Sequence, residues 1–276
     1  MVEVREWSQA DAARLFRAPS SHDDKYTRGV VAMRTGSAAY PGAAVLGVEA
    51  AWRAGAGFVR YVGAERAGDA VLARRPETVV GADVGRTRAD AWVIGSGTDP
   101  ADRSDDERRA LREVLSGAAP VVVDAGAIDL ASDASAPVII TPHEREFARL
   151  HEHLQLEPRD ERVDAARQVA QQINGTVLLK GARTLIAAPD GTVIAVDAGT
   201  GWLSTAGTGD VLAGAIGAVL AANPEAPIAE ATAAGVWLHG HAARIAAGVQ
   251  HGGHGHPIVA MDVAVALPAA IADLLS

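Results

Sequence analysis

The run Ser204-Thr205-Ala206-Gly207-Thr208-Gly209-Asp210 leads straight into Val211-Leu212-Ala213-Gly214-Ala215-Ile216. A glycine-rich turn that opens a long apolar helix lets backbone amides approach an anion. The first helical turn adds unpaired N–H groups carrying roughly half a positive charge. Gly207, Thr208 and Gly209 therefore read as an anion hole for phosphate. Asp210 is the odd member, because a carboxylate beside phosphates repels them unless a proton transfer needs it there. A general base aimed at a substrate hydroxyl meets that need. The plain alternative is an aspartate that caps the helix. This is not a Walker loop, since no Gly-Lys-Ser/Thr follows the first glycine at the required spacing.

Upstream, the apolar run Val177-Leu178-Leu179 ends in Lys180-Gly181-Ala182-Arg183-Thr184. Ligands of open α/β sheets sit at the carboxyl ends of strands, which places Lys180 and Arg183 against a nucleotide; a solvated surface turn is the alternative. In Thr141-Pro142-His143-Glu144, His143 stands at a strand end and a helix start. The dipole there disfavours imidazolium, so the ring can hydrogen-bond a substrate while neutral, or cap the helix. Gly95-Ser96-Gly97 and Gly36-Ser37 also follow strands, and the second precedes small residues around Ala43-Ala44 that permit close approach of a flat ligand. Asp124, after Val121-Val122-Val123, binds a metal through water or caps a turn. His251, His254 and His256 are spaced by glycines with no carboxylate among them, which reads as a loop with adventitious metal affinity. Trp237, His239 and His241 lie in an alanine-rich helix and are assigned to packing or a subunit interface.

These residues need a scaffold, and composition points to one. The chain has 276 residues, 49% hydrophobic, 21% charged and 4% aromatic, so its core is built from Ala, Val, Leu and Ile, as in a parallel sheet wrapped in helices. Short β-branched runs at Val30 to Met33, Phe58 to Val62, Ala91 to Ile94, Val121 to Val123, Val138 to Ile140, Val177 to Leu179, Thr184 to Ala187 and Val193 to Val196 read as strands. Helical periods occupy Ala43 to Ala54, Asp105 to Leu115, Glu144 to His151, Asp160 to Ile173, Gly209 to Ala222, Ala229 to Ala247 and Val263 to Leu274. Pro189 and Asp190-Gly191 supply hairpin chemistry, predicting an antiparallel edge on an otherwise parallel sheet. No linker or repeat divides the chain, so residues 1–276 read as one catalytic domain.

The absence of cysteine excludes disulfide frameworks, thiolate zinc sites and cysteine nucleophiles. A net charge of −9, from 25 basic and 34 acidic residues, argues against nucleic-acid binding. No membrane is expected, because no apolar stretch reaches the length of about 18 residues needed to span one. The N-terminus has no secretory h-region, and the expected location is cytoplasmic. Lys25 and Lys180 are the only lysines and the other basic residues are arginine. A retained lysine marks a place where a compact point charge is wanted rather than a planar fork.

In order, the segments KYTRGVV, YPGAAVLGVEAAWRAGAGFV, VIGSGTDP, VVVDAGAIDL, ITPHEREFARL, VLLKGARTLIAAPDG and TAGTGDVLAGAIGAVLAA resemble those of the ADP-dependent NAD(P)H-hydrate dehydratases. The likeness runs from His22 to about Leu267. It implies an α/β fold, the ribokinase-like three-layer sandwich with a mostly parallel central sheet flanked by helices. It implies a lyase that restores NADH or NADPH from the hydrated S-epimers, NADHX and NADPHX, with ADP as phosphoryl donor and Mg²⁺ as cofactor. It places Ala44, Gly95, His143 and Asp210 against the hydrated dinucleotide. Lys180, Gly181, Ala182, Arg183, Thr184 and Gly209 would contact the AMP portion of the donor. The resemblance further implies a homo-oligomer, a tetramer, and an epimerase acting in the same pathway as a separate protein. Two departures stand out: Glu144-Arg145 replaces the Pro-Gly usual after the histidine, and the segment from Asp197 to Trp202 lacks the asparagine relatives often carry. A ribokinase-like kinase of a vitamin precursor would share the glycine turn and Asp210 but stop at the phosphorylated product.

Overall fold

The computed structural model describes residues 3–85, 87–197 and 199–276; Ala198, inside the Asp197–Trp202 segment noted above, lies outside them. The β-branched runs form β2 (Val30–Arg34), β3 (Phe58–Tyr61), β5 (Ala91–Ile94), β6 (Val121–Val123), β7 (Val138–Ile140), β8 (Thr176–Leu179), β9 (Arg183–Ala187) and β10 (Val193–Asp197). Two short strands join them, β1 (Val4–Glu6) and β4 (Val79–Val80). One sheet results, in the order β1-β10-β9-β8-β7-β6-β5-β2-β3-β4. Only β9 runs antiparallel, to both β8 and β10.

The hairpin therefore forms as expected, but it is not the edge. Three residues of β1 pair parallel with β10, register Val4 to Val193, and close that side. A strand as short as Val-Arg-Glu carries no usable alternation, which is why only its tertiary pairing reveals it.

Strand parity sorts the core into two layers. Val93, Val122, Ile139, Leu178, Ile186 and Ile194 point into one cluster. Their neighbours Ile94, Val121, Val123, Ile140, Leu179, Leu185 and Val193 point into the other. Both faces are buried, as continuous apolar strands require. The first face carries α1 (Gln9–Ala13), α2 (Pro41–Arg53), α3 (Glu65–Arg74), α7 (Thr208–Ala222), α8 (Ile228–Ala246) and α9 (Ala260–Leu275). The second carries α4 (Asp105–Leu115), α5 (Glu144–His153), α6 (Arg162–Gln172) and a 3₁₀ segment, Ala125–Asp133. The result is the expected three-layer α/β sandwich. No helix among the described residues is long and apolar enough to cross a membrane.

Small residues set the spacing of the first layer. A Cβ at Gly214 would lie 2.2 Å from the Gly47 carbonyl oxygen, so α7 and α2 touch backbone to backbone. Gly214→Ala forces the two helices apart at this crossing. Overpacking of this kind costs about 1–3 kcal/mol, and a fall of that size in a urea titration is the expected result. An unchanged midpoint would show that the helix pair yields freely.

One charge is buried in this layer. Glu49 of α2 is 0% exposed and accepts from Arg53 Nε at 2.6 Å, Arg75 Nε at 2.5 Å and Arg75 Nη2 at 2.6 Å, with Arg74 Nη2 at 3.4 Å. Three arginines thus tie the end of α3 to the last turns of α2. They hold the Glu49 carboxyl below its ordinary value against the desolvation that would raise it.

Strands β2, β5, β6, β7 and β8 are mutually parallel, so their carboxyl ends share one edge. Gly36, Gly95, Asp124, His143 and Lys180 all fall on the connections that leave it.

Candidate functional site

The turn before α7 is locked from within. Gly207, the N-cap residue, has φ +89°, and a Cβ there would come within 2.6 Å of Leu46 and 3.0 Å of Ala260. A side chain is excluded on both conformational and steric grounds. Thr208 Oγ1 donates to the carbonyls of Leu203 and Thr205, each at 3.0 Å, so the hydroxyl fixes the turn instead of facing a ligand. What remains for an anion is the set of amides of the first helical turn.

Asp210 sits in that turn and its carboxyl is pushed up to about 7. Burial is the first cause and the Asp124 carboxylate the second, with Lys180 opposing both. It does not cap the helix through its side chain, since Gly207 is the N-cap and α7 has no side-chain cap bond. A carboxyl balanced near neutrality can take a proton at working pH, which a surface aspartate does poorly.

Two adjoining cavities meet above this turn. The larger, of about 1090 Å³, is lined by Lys180, Gly181, Ala182 and Thr184 on one side and by Leu212, Val236 and His239 on another. The smaller, of about 500 Å³, holds Asp210, Gly207 and Ala206. His143, Lys180, Thr208 and Gly209 line both. The first volume is large enough for a nucleotide, and the second brings Asp210 to its edge.

His143 stands where its sequence position places it, as the N-cap of α5. Its Nδ1 accepts from the amides of Arg145 at 3.1 Å and Glu146 at 3.3 Å, while the Glu146 carboxylate accepts from the His143 amide at 2.9 Å. An Nδ1 that accepts two amides carries its lone pair there, so the ring proton belongs to Nε2. Capping and ligand binding were offered as alternatives by the sequence. Here capping by one nitrogen orients the other. The Glu144 that departs from the usual Pro-Gly is tied to Arg162 at 2.7 Å.

That arginine was not legible in the sequence. Its guanidinium also donates to the carbonyls of Arg183 at 3.2 Å and Lys180 at 3.3 Å, bracing the turn between β8 and β9. Thr184 Oγ1 closes the same turn onto the Gly181 carbonyl at 3.0 Å. Arg183 itself turns away: its guanidinium pairs with Glu6 of β1, and it is not among the described residues lining either cavity. Ala44 and Gly95 are likewise absent from those linings. Ala44 is fully buried on α2 beside Gly36, and Gly95 packs against Asp124 and Ala127 beneath the strand ends.

His239 belongs to the site although the sequence assigned it to packing. It lines the larger cavity, is 6% exposed, and its Nε2 is buried with no hydrogen-bond partner. Burial pushes its ring down to about 4, the Thr208 carbonyl opposing and Lys180 reinforcing. It is neutral in use. No local pattern in an alanine-rich helix distinguishes such a histidine from a packed one.

Mg²⁺ finds no cage here. Among the described residues no three His, Asp or Glu side chains converge on a metal position, and both Asp124 oxygens already accept from Ser96, Thr141 and Lys180. Mg²⁺ commonly keeps several waters and is held mainly through substrate phosphates, a mode that needs no protein cage. The loop of His251, His254 and His256 is tied to the segment that follows β10: Trp202 Nε1 donates to the His254 carbonyl at 2.8 Å.

The model of the NAD(P)H-hydrate dehydratase family matches residues 31–255. An ADP-dependent (S)-NAD(P)H-hydrate dehydratase of Neisseria meningitidis is 36% identical over 251 residues, covering 84% of this chain and 81% of the relative. The bifunctional NAD(P)H-hydrate repair enzyme Nnr of Mycobacterium tuberculosis is 41% identical over 202 residues, 70% of this chain. This chain spans about two fifths of the length of such bifunctional relatives. An ADP/ATP-dependent NAD(P)H-hydrate dehydratase of Bacillus subtilis, co-crystallised with ATP and Mg²⁺, superposes with a TM-score of 0.85 at 27% identity, covering 99% of this chain and 100% of that one. The sandwich is thus the ribokinase-like fold that the ordered motifs implied. With a family model matching most of the sequence and a relative alike over four fifths of both lengths, the chain belongs to the NAD(P)H-hydrate dehydratase family.

Proposed function

We propose that this protein is an ADP-dependent NAD(P)H-hydrate dehydratase, a lyase that returns the S-epimers of hydrated NADH and NADPH to the usable cofactors with release of AMP and phosphate. The observation that carries the reading is Asp210: a half-buried carboxyl near neutrality, in the first turn of α7, in the smaller of two joined cavities. A nucleotide-binding site alone has no use for such a group.

Hydroxide leaves poorly from carbon and phosphate leaves well. The hydrate's hydroxyl oxygen attacks the β-phosphorus of ADP as Asp210 takes the hydroxyl proton, and the bond from that phosphorus to the bridging oxygen of AMP breaks. The ring nitrogen's electron pair then expels phosphate by cleaving the carbon–oxygen bond. Loss of a proton from the neighbouring ring carbon restores the double bond. The amides from Gly207 to Gly209 hold the transferring group at the helix start, and Lys180, Gly181, Ala182 and Thr184 line the place of the donor. His143 offers Nε2–H to the dinucleotide. Mg²⁺ carried on the phosphates would offset their charge. Positioning of this kind is worth up to about 7–11 kcal/mol in ideal cases.

The same reading makes the protein a cytoplasmic homotetramer that works beside an epimerase. Incubation with ADP and hydrated NADH should restore absorbance in the reduced-nicotinamide band and yield AMP. If absorbance stays flat while an alcohol is phosphorylated from ATP, the protein is a kinase and the dehydratase reading fails.

A further inference from the structure

We propose that Asp124, which no step above uses, is the positioning residue for Lys180: it holds the ammonium over the first turn of α7 so that two spare protons meet the β-phosphoryl group of the donor. This rests on the nucleotide reading of the site. It deepens that reading by separating the lysine's ammonium from the backbone run that holds AMP.

Asp124 follows β6 and is 4% exposed. Three donors from three other connections converge on it. Thr141 Oγ1 donates to Oδ1 at 2.6 Å, Lys180 Nζ to Oδ1 at 3.2 Å and Ser96 Oγ to Oδ2 at 2.9 Å. A carboxylate that accepts on both oxygens is held in one orientation. Lys180 has three protons to donate, yet among the described residues only Asp124 lies within hydrogen-bond distance of Nζ; Glu146 Oε2 is at 4.0 Å. A Cβ at Gly209 would lie 3.6 Å from the same nitrogen. The ammonium thus hangs over the helix start, in the part of the site that both cavities share, with two donors unspent. A compact charge fits that gap, whereas an arginine fork of greater reach would displace Asp124 or Gly209.

Charge coupling supports the geometry. The charges that act on Asp210 are Asp124 after β6 and Lys180 after β8; of the other titratable groups nearby, His143 before α5 shares the smaller cavity with Asp210, Glu146 of α5 lies 4.0 Å from Lys180 Nζ and His239 of α8 lines the larger cavity. Asp124 raises the Asp210 carboxyl and Lys180 lowers it, so removing either should move the base in opposite directions.

The test uses the full chain and isothermal titration with ADP and with AMP. In Asp124→Asn, AMP affinity should stay within about twofold while the preference for ADP over AMP falls at least fivefold, because only ADP carries the β-phosphoryl group. With hydrated NADH as substrate, the acid limb of kcat should move to lower pH in Asp124→Asn and to higher pH in Lys180→Met. An unchanged ADP preference, or limbs that move the same way, overturns the proposal. If Asp124→Asn does not fold, Ser96→Ala removes one donor and should lower the same preference to a smaller extent; no change there also overturns it. The titrations need no turnover, so a wild-type protein inert toward the hydrate would remove the dehydratase reading and leave this one to be judged on binding.

Discussion

Asp210→Asn is expected to lower kcat by about three orders of magnitude, within the usual range for removing a general base, and at the same time to stabilise the fold above neutral pH. The two effects share one cause. Burial and the Asp124 charge raise the folded carboxyl from 3.8 to about 7, so between those values the native state keeps a proton that the unfolded chain has released. Stability from this group is fully present below about pH 4 and is lost as pH rises through about 7. At about 1.4 kcal/mol per pH unit the loss approaches ~4 kcal/mol as an upper bound. Asparagine carries no charge and escapes it. Urea titrations of both proteins at pH 4 and pH 8 should show no gain at the first and a gain of a few kcal/mol at the second. An equal gain at both would detach the effect from the Asp210 proton, and a retained rate would remove the base from the mechanism.

The second large effect lies far from the chemistry. Glu49→Ala leaves Arg53, Arg74 and Arg75 facing a buried gap where a fully desolvated carboxylate stood. Removing one partner of a buried ion pair usually costs about 3–5 kcal/mol. The arginine side chains are 27%, 47% and 20% exposed and can turn toward water, which sets the expectation at the lower end, about 3 kcal/mol. The urea midpoint reads this directly. Arg75→Ala added to Glu49→Ala should cost less than it does alone, since its partner is already gone. Strict additivity, or a loss for Glu49→Ala below about 0.5 kcal/mol, would show that the cluster is a surface feature without structural weight.

Long apolar periods translated into elements with little error. The helix read from Asp105 to Leu115 forms over those residues, and the strands around Val93, Val122 and Ile139 form where β-branched runs stand. Elements without such periods escaped. Helix α1 spans five residues, β4 two, and α3 carries a short Arg- and Glu-bearing sequence that buries only Ala67, Gly68 and Val71. These owe their place to partners elsewhere in the chain, as β1 does to β10.

The site divides the same way. Residues whose role comes from a local backbone state were visible one motif at a time: Gly207 in its left-handed turn, His143 at a helix start, Asp210 one turn into α7. Residues whose role comes from convergence were not. Asp124 read as a cap or a metal ligand, His239 as filler and Arg162 as nothing at all. Arg183 looked like a nucleotide contact, yet its side chain leaves the turn toward Glu6.

By itself, then, the sequence determined the sheet, its helices, the glycine turn before α7 and the family, because hydrophobic period and glycine conformation act within a few residues of chain. Only the tertiary structure decided that Ser96, Thr141 and Lys180 would close on Asp124 and that Asp210 would be desolvated to about 7. Burial and charge coupling depend on what the fold brings within a few ångströms, and residues as far apart as Asp124 and Asp210 meet only when parallel strands deliver their ends to one edge.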